Sequence, residues 1–190
     1  GVAGSHGGLD QPGQLVFGRG SAGSTSGANI FNSLVECKLR LLRDMELLRI
    51  PVIGPIDQSP KSLDPMVMSW VDGNQAYYRV VGFNPPWIAY LALEEGAVVG
   101  TCAFKGAPTE GVVEVAYATQ PGMEGRGIAT RMTHALIQLA RSTDPTVRII
   151  AQTLPAHNAS TRVLTKCGFA HVRKAMDDEV GMVWEWELAV

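Results

Sequence analysis

The chain has 190 residues, 46% hydrophobic and 18% charged, with a formal net charge of −2. That is enough for one well-buried core and too little for two ordinary domains. The near-neutral balance, with no run of like charge longer than Asp177-Asp178-Glu179, argues against a nucleic-acid binder or a membrane-surface protein.

Cys37, Cys102 and Cys167 are an odd, widely spaced set. They fit neither a disulfide framework nor a zinc site, so reduced thiols and no metal are expected. No stretch reaches the ~18 apolar residues of a membrane span, and the first residues lack the pattern of a secretion signal. The cytoplasm is the expected compartment.

Residues 1–28 carry nine glycines and almost no apolar periodicity, the composition of a flexible tail. Residues 29–190 are expected to form one domain, with a helical part over 29–75 and a sheet over 76–190. A helix is predicted from Ser33, where Ser33 and Glu36 have capping-box spacing. Leu34, Val35, Leu41, Leu42, Met45 and Leu48 share one side, and Pro51 ends the helix. Its apolar stripe either packs on the domain's own sheet or serves as a homodimer arm. Asp64-Pro65 reads as a second helix start, with a stop near Gly73-Asn74. Asn84-Pro85-Pro86-Trp87 reads as a rigid turn.

Strands are predicted over Ile88–Leu93 and Val98–Phe104, flanking the hairpin signal Glu94-Glu95-Gly96-Ala97, and then over Val112–Ala118. A helix over Arg126–Arg141, a strand over Val147–Leu154 and a short helix over His157–Lys166 follow. Phe169–Arg173 and Met182–Leu188 read as a closing antiparallel pair. Strands first, then alternating strands and helices, describe an α/β or α+β sheet covered by helices.

The stretch QPGMEGRGIAT, Gln120–Thr130, lies between a strand and a helix. Glycines there make a turn, or they let an anion approach the unpaired N–H groups of the helix N-terminus. The stretch lacks the Gly-Lys-Ser/Thr of a P-loop. Thr130 stands where the dinucleotide fingerprint needs Gly or Ala.

The segment VEVAYATQPGMEGRGIATRMTHALIQLA, followed by AQTLPAHNASTRVLTKCGF, resembles the GNAT acetyltransferase superfamily. That family's acetyl-CoA signature, Q/R-x-x-G-x-G/A, reads here Glu124-Gly125-Arg126-Gly127-Ile128-Ala129. The PPW phrase, the Glu-Val-Ala-Tyr strand and the Asn-Ala-Ser…Gly-Phe ending are closest to the RimJ/RimL-type branch. The resemblance spans about residues 85–188, weakens over 30–84 and stops before that.

The resemblance implies a mixed, mostly antiparallel sheet with a splay, helices on both faces, acetyl-CoA as cosubstrate and an amine acceptor. It implies that the backbone of Gly125, Arg126, Gly127, Ala129 and Thr130 cradles the coenzyme pyrophosphate, and that Tyr117, Ala118 and Thr119 pair with its pantetheine arm. Asn158 is a coenzyme contact, a helix cap, or both. Glu124 replaces the family's Gln or Arg, and its carboxylate is expected to point away. Arg126 either adds charge near the phosphates or is solvated.

Val113, Val115 and Tyr117 alternate to one face of their strand, so Glu114 points to the other with Val112, Ala116 and Ala118. Glu114 is the candidate base; the competing reading is a Glu that is exposed or paired with a cation. Many relatives place an acidic tyrosine one turn before Gly-Phe, where this chain has Leu164. Ser160, in the place of a RimJ/RimL-type serine, is the candidate proton donor to sulfur, or only a helix-start hydroxyl. His157 reads as a cap neighbour, Cys167 as a buried thiol, and Trp184 and Trp186 as a core strand or a pocket wall. Tyr77, Tyr78 and Trp87 lie where relatives shape the acceptor site. The implied activity is N-acetyl transfer to a small-molecule amine or protein N-terminus. The alternative is a non-catalytic coenzyme-binding or interaction module that uses the N-terminal helix.

Overall fold

The computed structural model describes residues 45–56, 60–61, 63–177 and 180–189. Seven strands form one sheet in the order β1-β2-β3-β4-β5-β7-β6. They are β1 (Glu46–Arg49), β2 (Ala89–Glu94), β3 (Ala97–Phe104), β4 (Val112–Thr119), β5 (Arg148–Thr153), β6 (Phe169–Asp177) and β7 (Gly181–Leu188). Neighbours pair antiparallel except β4 and β5, which run parallel. Three helices lie among the described residues: α1 (Pro65–Val81), α2 (Ile128–Thr143) and α3 (Ala159–Lys166).

The helix predicted from Ser33 to Pro51 is corrected at its end. Glu46–Arg49 is a strand, in register with β2 from Glu46↔Leu93 to Arg49↔Tyr90. Met45, Leu48 and Ile50 are buried, so their apolar spacing serves a sheet edge as well as it would a helix stripe. Four residues are too few for periodicity to separate the two. The Ser33 cap, the stripe through Leu42 and the dimer arm fall outside the described residues.

The second helix begins as predicted, with the Asp64 side chain accepting from Val67 N–H at 2.9 Å. It runs past Gly73 to Val81 and ends at Gly82, φ +83°. A mid-helix glycine costs about 1 kcal/mol. That cost is offset by Tyr78, whose buried hydroxyl donates to Ile50 C=O (3.2 Å) and accepts from Ala89 N–H (2.9 Å). The predicted turn is present, closed by Trp87 N–H to Asn84 C=O at 2.8 Å, with a cis Pro85–Pro86 peptide.

The β2–β3 hairpin turns at Glu95 and Gly96, both at positive φ, as a tight hairpin requires. Helix α2 packs on β3 and β4. The approach is close: a Cβ on Gly100 would lie 2.9 Å from the Met132 side chain. On this face Ile128, Met132 and Leu136 are buried against the sheet. On the opposite face Tyr77 of α1 lies near Lys105.

Candidate active site

The central feature is where β4 and β5 stop pairing. Their parallel register runs from Val112↔Arg148 to Val115↔Ala151 and no further. Strand β4 continues to Thr119 and stays paired with β3 to its end. Residues 116–119 therefore have one bonded edge and one open edge, and the sheet splays there.

Alternation decides which backbone groups face the gap. Lys105 N–H donates to Glu114 C=O and Gln120 N–H to Val99 C=O, whereas Gly111 C=O accepts from Arg148 N–H. Even-numbered residues of β4 thus turn their backbone to β3, and odd-numbered ones turn it to β5. Past Val115, Tyr117 and Thr119 present theirs to the open edge. Ala118 does not: its carbonyl faces β3, 2.6 Å from where a Gly100 Cβ would sit. Of the three residues expected to pair with the pantetheine arm, Tyr117 and Thr119 have their backbone groups at the open edge and Ala118 has its own turned to β3.

The glycine turn follows directly. Gly122, Gly125 and Gly127 all hold positive φ, from +73° to +82°, a region that costs other residues roughly 1 kcal/mol or more. Gly127 is the N-cap of α2 and no side chain caps that terminus, so the first-turn N–H groups point outward. The turn is tied from behind. Arg131 donates to Arg126 C=O at 3.0 Å and is ion-paired with Glu94 on β2. Gln120 is bonded to Asp64, the α1 cap.

These elements enclose a cleft of about 350 Å³ between β4, the turn and α3. Tyr117, Ala118, Thr119, Gly125, Gly127, Ala129, Thr130 and Ser160 line it, as do Glu124, Arg162 and Lys166. Arg126 is outside the lining: its carbonyl is held by Arg131 and the residue is exposed. Asn158 is outside it too. Its side chain accepts from Thr161 N–H at 3.1 Å, and the Thr161 hydroxyl accepts from Asn158 N–H at 3.0 Å, a complete capping box. Arg162 and Lys166 were missed in the sequence. Their i, i+4 spacing on α3 is the signal that puts both on one helix face. A larger cleft of about 870 Å³ sits beyond Met123, around Lys61, Glu94 and Arg131, away from the open edge.

Tyr117 points to the helix face, its hydroxyl donating to Ser160 C=O at 3.3 Å. Burial raises its pKa, so it stays a neutral phenol. Leu164 is fully buried. Cys167 is buried, and burial pushes its thiol up to about 11, which suits an inert thiol rather than a nucleophile. Trp186 is buried and donates to the Thr153 hydroxyl at 3.0 Å; Trp184 packs edge-on to His157. Trp186 belongs to the core, and Trp184 and Trp87, the latter against Phe104, are half-buried and packed against it.

Glu114 emerges on the opposite face. Its side chain is 17% exposed and its Oε1 lies 2.6 Å from Lys105 Nζ, so the cation-paired reading describes its geometry. Burial raises its pKa, Lys105 opposes that, and Asp177 and Glu185 add to the rise. The residues present fit acetyl-CoA: an uncapped, glycine-led helix start and two cations for phosphates, then an open strand edge for an amide-bearing arm. Among the described residues no group of three His, Cys, Asp or Glu is placed to hold a metal ion, and no helix is long and apolar enough to cross a membrane.

No curated protein matches the chain in sequence. Among solved structures, RimL, the ribosomal L7/L12 alpha-N-protein acetyltransferase, in its apo form superposes with a TM-score of 0.50 at 15% identity, over 86% of this chain and 84% of that one. RimL with coenzyme A gives 0.52 at 16%, over 66% and 72%. A GNAT-family acetyltransferase from Bacillus anthracis gives 0.50 at 18%, over 64% and 72%. The aminoglycoside acetyltransferase AAC(6')-Ib with coenzyme A gives 0.48, and this chain spans 65% of its length. The three likenesses at a TM-score of 0.50 or above show the fold. The model of the acetyltransferase (GNAT) domain matches residues 36–170, and the chain belongs to that family.

Proposed function

We propose that this chain is an acetyl-CoA-dependent N-acetyltransferase that transfers the acetyl group to a primary amine by direct attack on the thioester. One observation carries the reading. The β4–β5 ladder ends at Val115↔Ala151, and the unpaired end of β4 leads through the glycine turn to an uncapped helix start. An open strand edge and an anion-binding terminus thus line one cleft.

In this reading the N–H groups at the start of α2, with Arg162 and Lys166, hold the pyrophosphate. The open edge at Tyr117 and Thr119 bonds the pantetheine amides as an added strand would. A backbone N–H at that edge donates to the thioester oxygen as negative charge develops on it. Acetyl-CoA supplies the activated acyl group and the thiolate leaving group. Glu114 takes the proton of the incoming amine, directly or through water. Ser160, whose residue lines the cleft, is the donor to the departing sulfur.

The coenzyme cleft lies on the helix face and Glu114 on the other, so coenzyme and acceptor approach the splay from opposite sides. Residues 29–190 form the single domain of this reading, and RimL, an alpha-N-protein acetyltransferase, is one precedent for its substrate class. The cytoplasm is its compartment, consistent with the free thiols Cys102 and Cys167. Buried Leu164, in the place of the family's tyrosine acid, favours the competing non-catalytic module. The test is release of coenzyme A thiol from acetyl-CoA across a panel of primary amines, including peptide N-termini. Amine-dependent release is expected; coenzyme binding without release from any amine establishes the module instead.

A further inference from the structure

Lys105 follows β3, directly across from Glu114. Continuing the register beyond Phe104↔Val115 brings the two together, and Lys105 N–H donates to Glu114 C=O at 2.9 Å. The backbone therefore fixes both Cα positions. The lysine stem then spans to the carboxylate, with Nζ on Oε1 at 2.6 Å and a side chain 36% exposed.

Two other carboxylates on this face have cations of a different kind. Glu185 is held by Arg173 through both oxygens, at 2.8 and 3.0 Å. Glu187 is held by Arg148 through both oxygens, at 2.8 Å each. An Arg fork is a fixed two-point clamp, whereas a lysine ammonium is a point charge on a stem that can swing. Among the described ion pairs on this face, Glu114 alone has a lysine. A structural carboxylate gains from a clamp. A base is held below its full basicity by a bound cation, so it gains from a partner that can move away.

We propose that Lys105 is the positioning residue of the acceptor site: its ammonium holds the Glu114 carboxylate on the acceptor face and occupies the place that the acceptor's own ammonium takes over. This rests on the acetyltransferase reading and adds to it a residue that governs the base. An arriving ammonium displaces Lys105 toward solvent, hands its proton to Glu114 and attacks as the neutral amine. The charged neighbours fix the direction of the pH effect. Asp177 on β6 and Glu185 on β7 disfavour the Glu114 carboxylate, and Lys105 favours it. Tyr77 on α1 faces Lys105, and Arg173 and Arg148 are engaged by Glu185 and Glu187. Removing Lys105 leaves two acids and no direct cation at Glu114.

The test compares wild type, Lys105→Met and Lys105→Arg with an amine that turns over. Lys105→Met is expected to move the acid limb of kcat/KM up by about one to three pH units and to lower the acceptor KM above that limb. Lys105→Arg is expected to keep the limb low but raise KM and lower kcat, because the fork does not let go. A folded Lys105→Met whose acid limb coincides with wild type overturns the proposal. Carbon-13 NMR titration of the Glu114 carboxyl, assigned with Glu114→Gln, gives a readout independent of turnover. A midpoint that fails to rise in Lys105→Met overturns the inference even if no amine reacts. Failure to release coenzyme A counts against the acetyltransferase reading instead.

Discussion

Glu114 shows how one residue's chemistry depends on two alternations at once. Strand alternation turns its side chain away from the helices and its backbone toward β3. Its raised pKa comes first from burial and then from Asp177 and Glu185, against Lys105. The carboxylate is the active form of a base, so activity is retained above that pKa and lost as pH falls through it. The acid limb of kcat/KM is therefore expected above the ordinary carboxylate range, about pH 4.3, in a pH profile of the free enzyme. Glu114→Gln is expected to lower turnover at neutral pH by about 10²–10⁴-fold while leaving the acetyl-CoA Kd unchanged in calorimetry. Unchanged turnover would remove Glu114 from the base role. Its face was legible in the sequence, because Val113, Val115 and Tyr117 mark the other side. Lys105 was not, because it meets Glu114 only through the β3–β4 register.

At the scale of elements, the turn between β4 and α2 combines three positive-φ glycines, an uncapped N-terminus and the Arg131 tie to Arg126 C=O. Gly127→Ala places a side chain at φ +73°, 3.4 Å from Arg131 Nη1. It is expected to cost about 1 kcal/mol in denaturant unfolding and to raise the acetyl-CoA Kd. A weakened Kd without lost stability would mean the residue serves binding alone. The strand–turn–helix order was readable from composition and spacing. The end of α1 was not: Gly73 suggested a stop, and the helix continues because Tyr78 bonds both Ile50 and Ala89. Nor was β1, whose apolar positions satisfy a helix stripe and a strand edge alike. Hydrogen bonding to β2 decides between them.

For the whole molecule, the proposed coenzyme site should couple binding to unfolding, since it joins β4, α2 and α3. A ligand at about 100 times its Kd stabilises the folded form by roughly 2.7 kcal/mol, on the order of 5–10 °C in Tm for this chain length. A saturable rise in Tm with acetyl-CoA, measured by scanning calorimetry, is the expected result. No rise at millimolar coenzyme would remove the cleft as its site. The family's structural neighbours share the fold at 15–18% identity, so the core tolerates nearly complete replacement where burial and hand of connection are kept.

The sequence by itself determined the strand–glycine–helix order, the start of α1 and the face of Glu114, because alternation, caps and glycine turns act over a few neighbouring residues; the family it carried as a resemblance of motifs, which the family model over residues 36–170 then showed. The tertiary structure decided where β4 and β5 part, which of Tyr117, Ala118 and Thr119 turns its backbone to the gap, that Asn158 is a cap, and that Glu114 is held by Lys105. Each of those depends on strand register or on groups distant in the chain, and pairing across a sheet leaves no mark in local spacing.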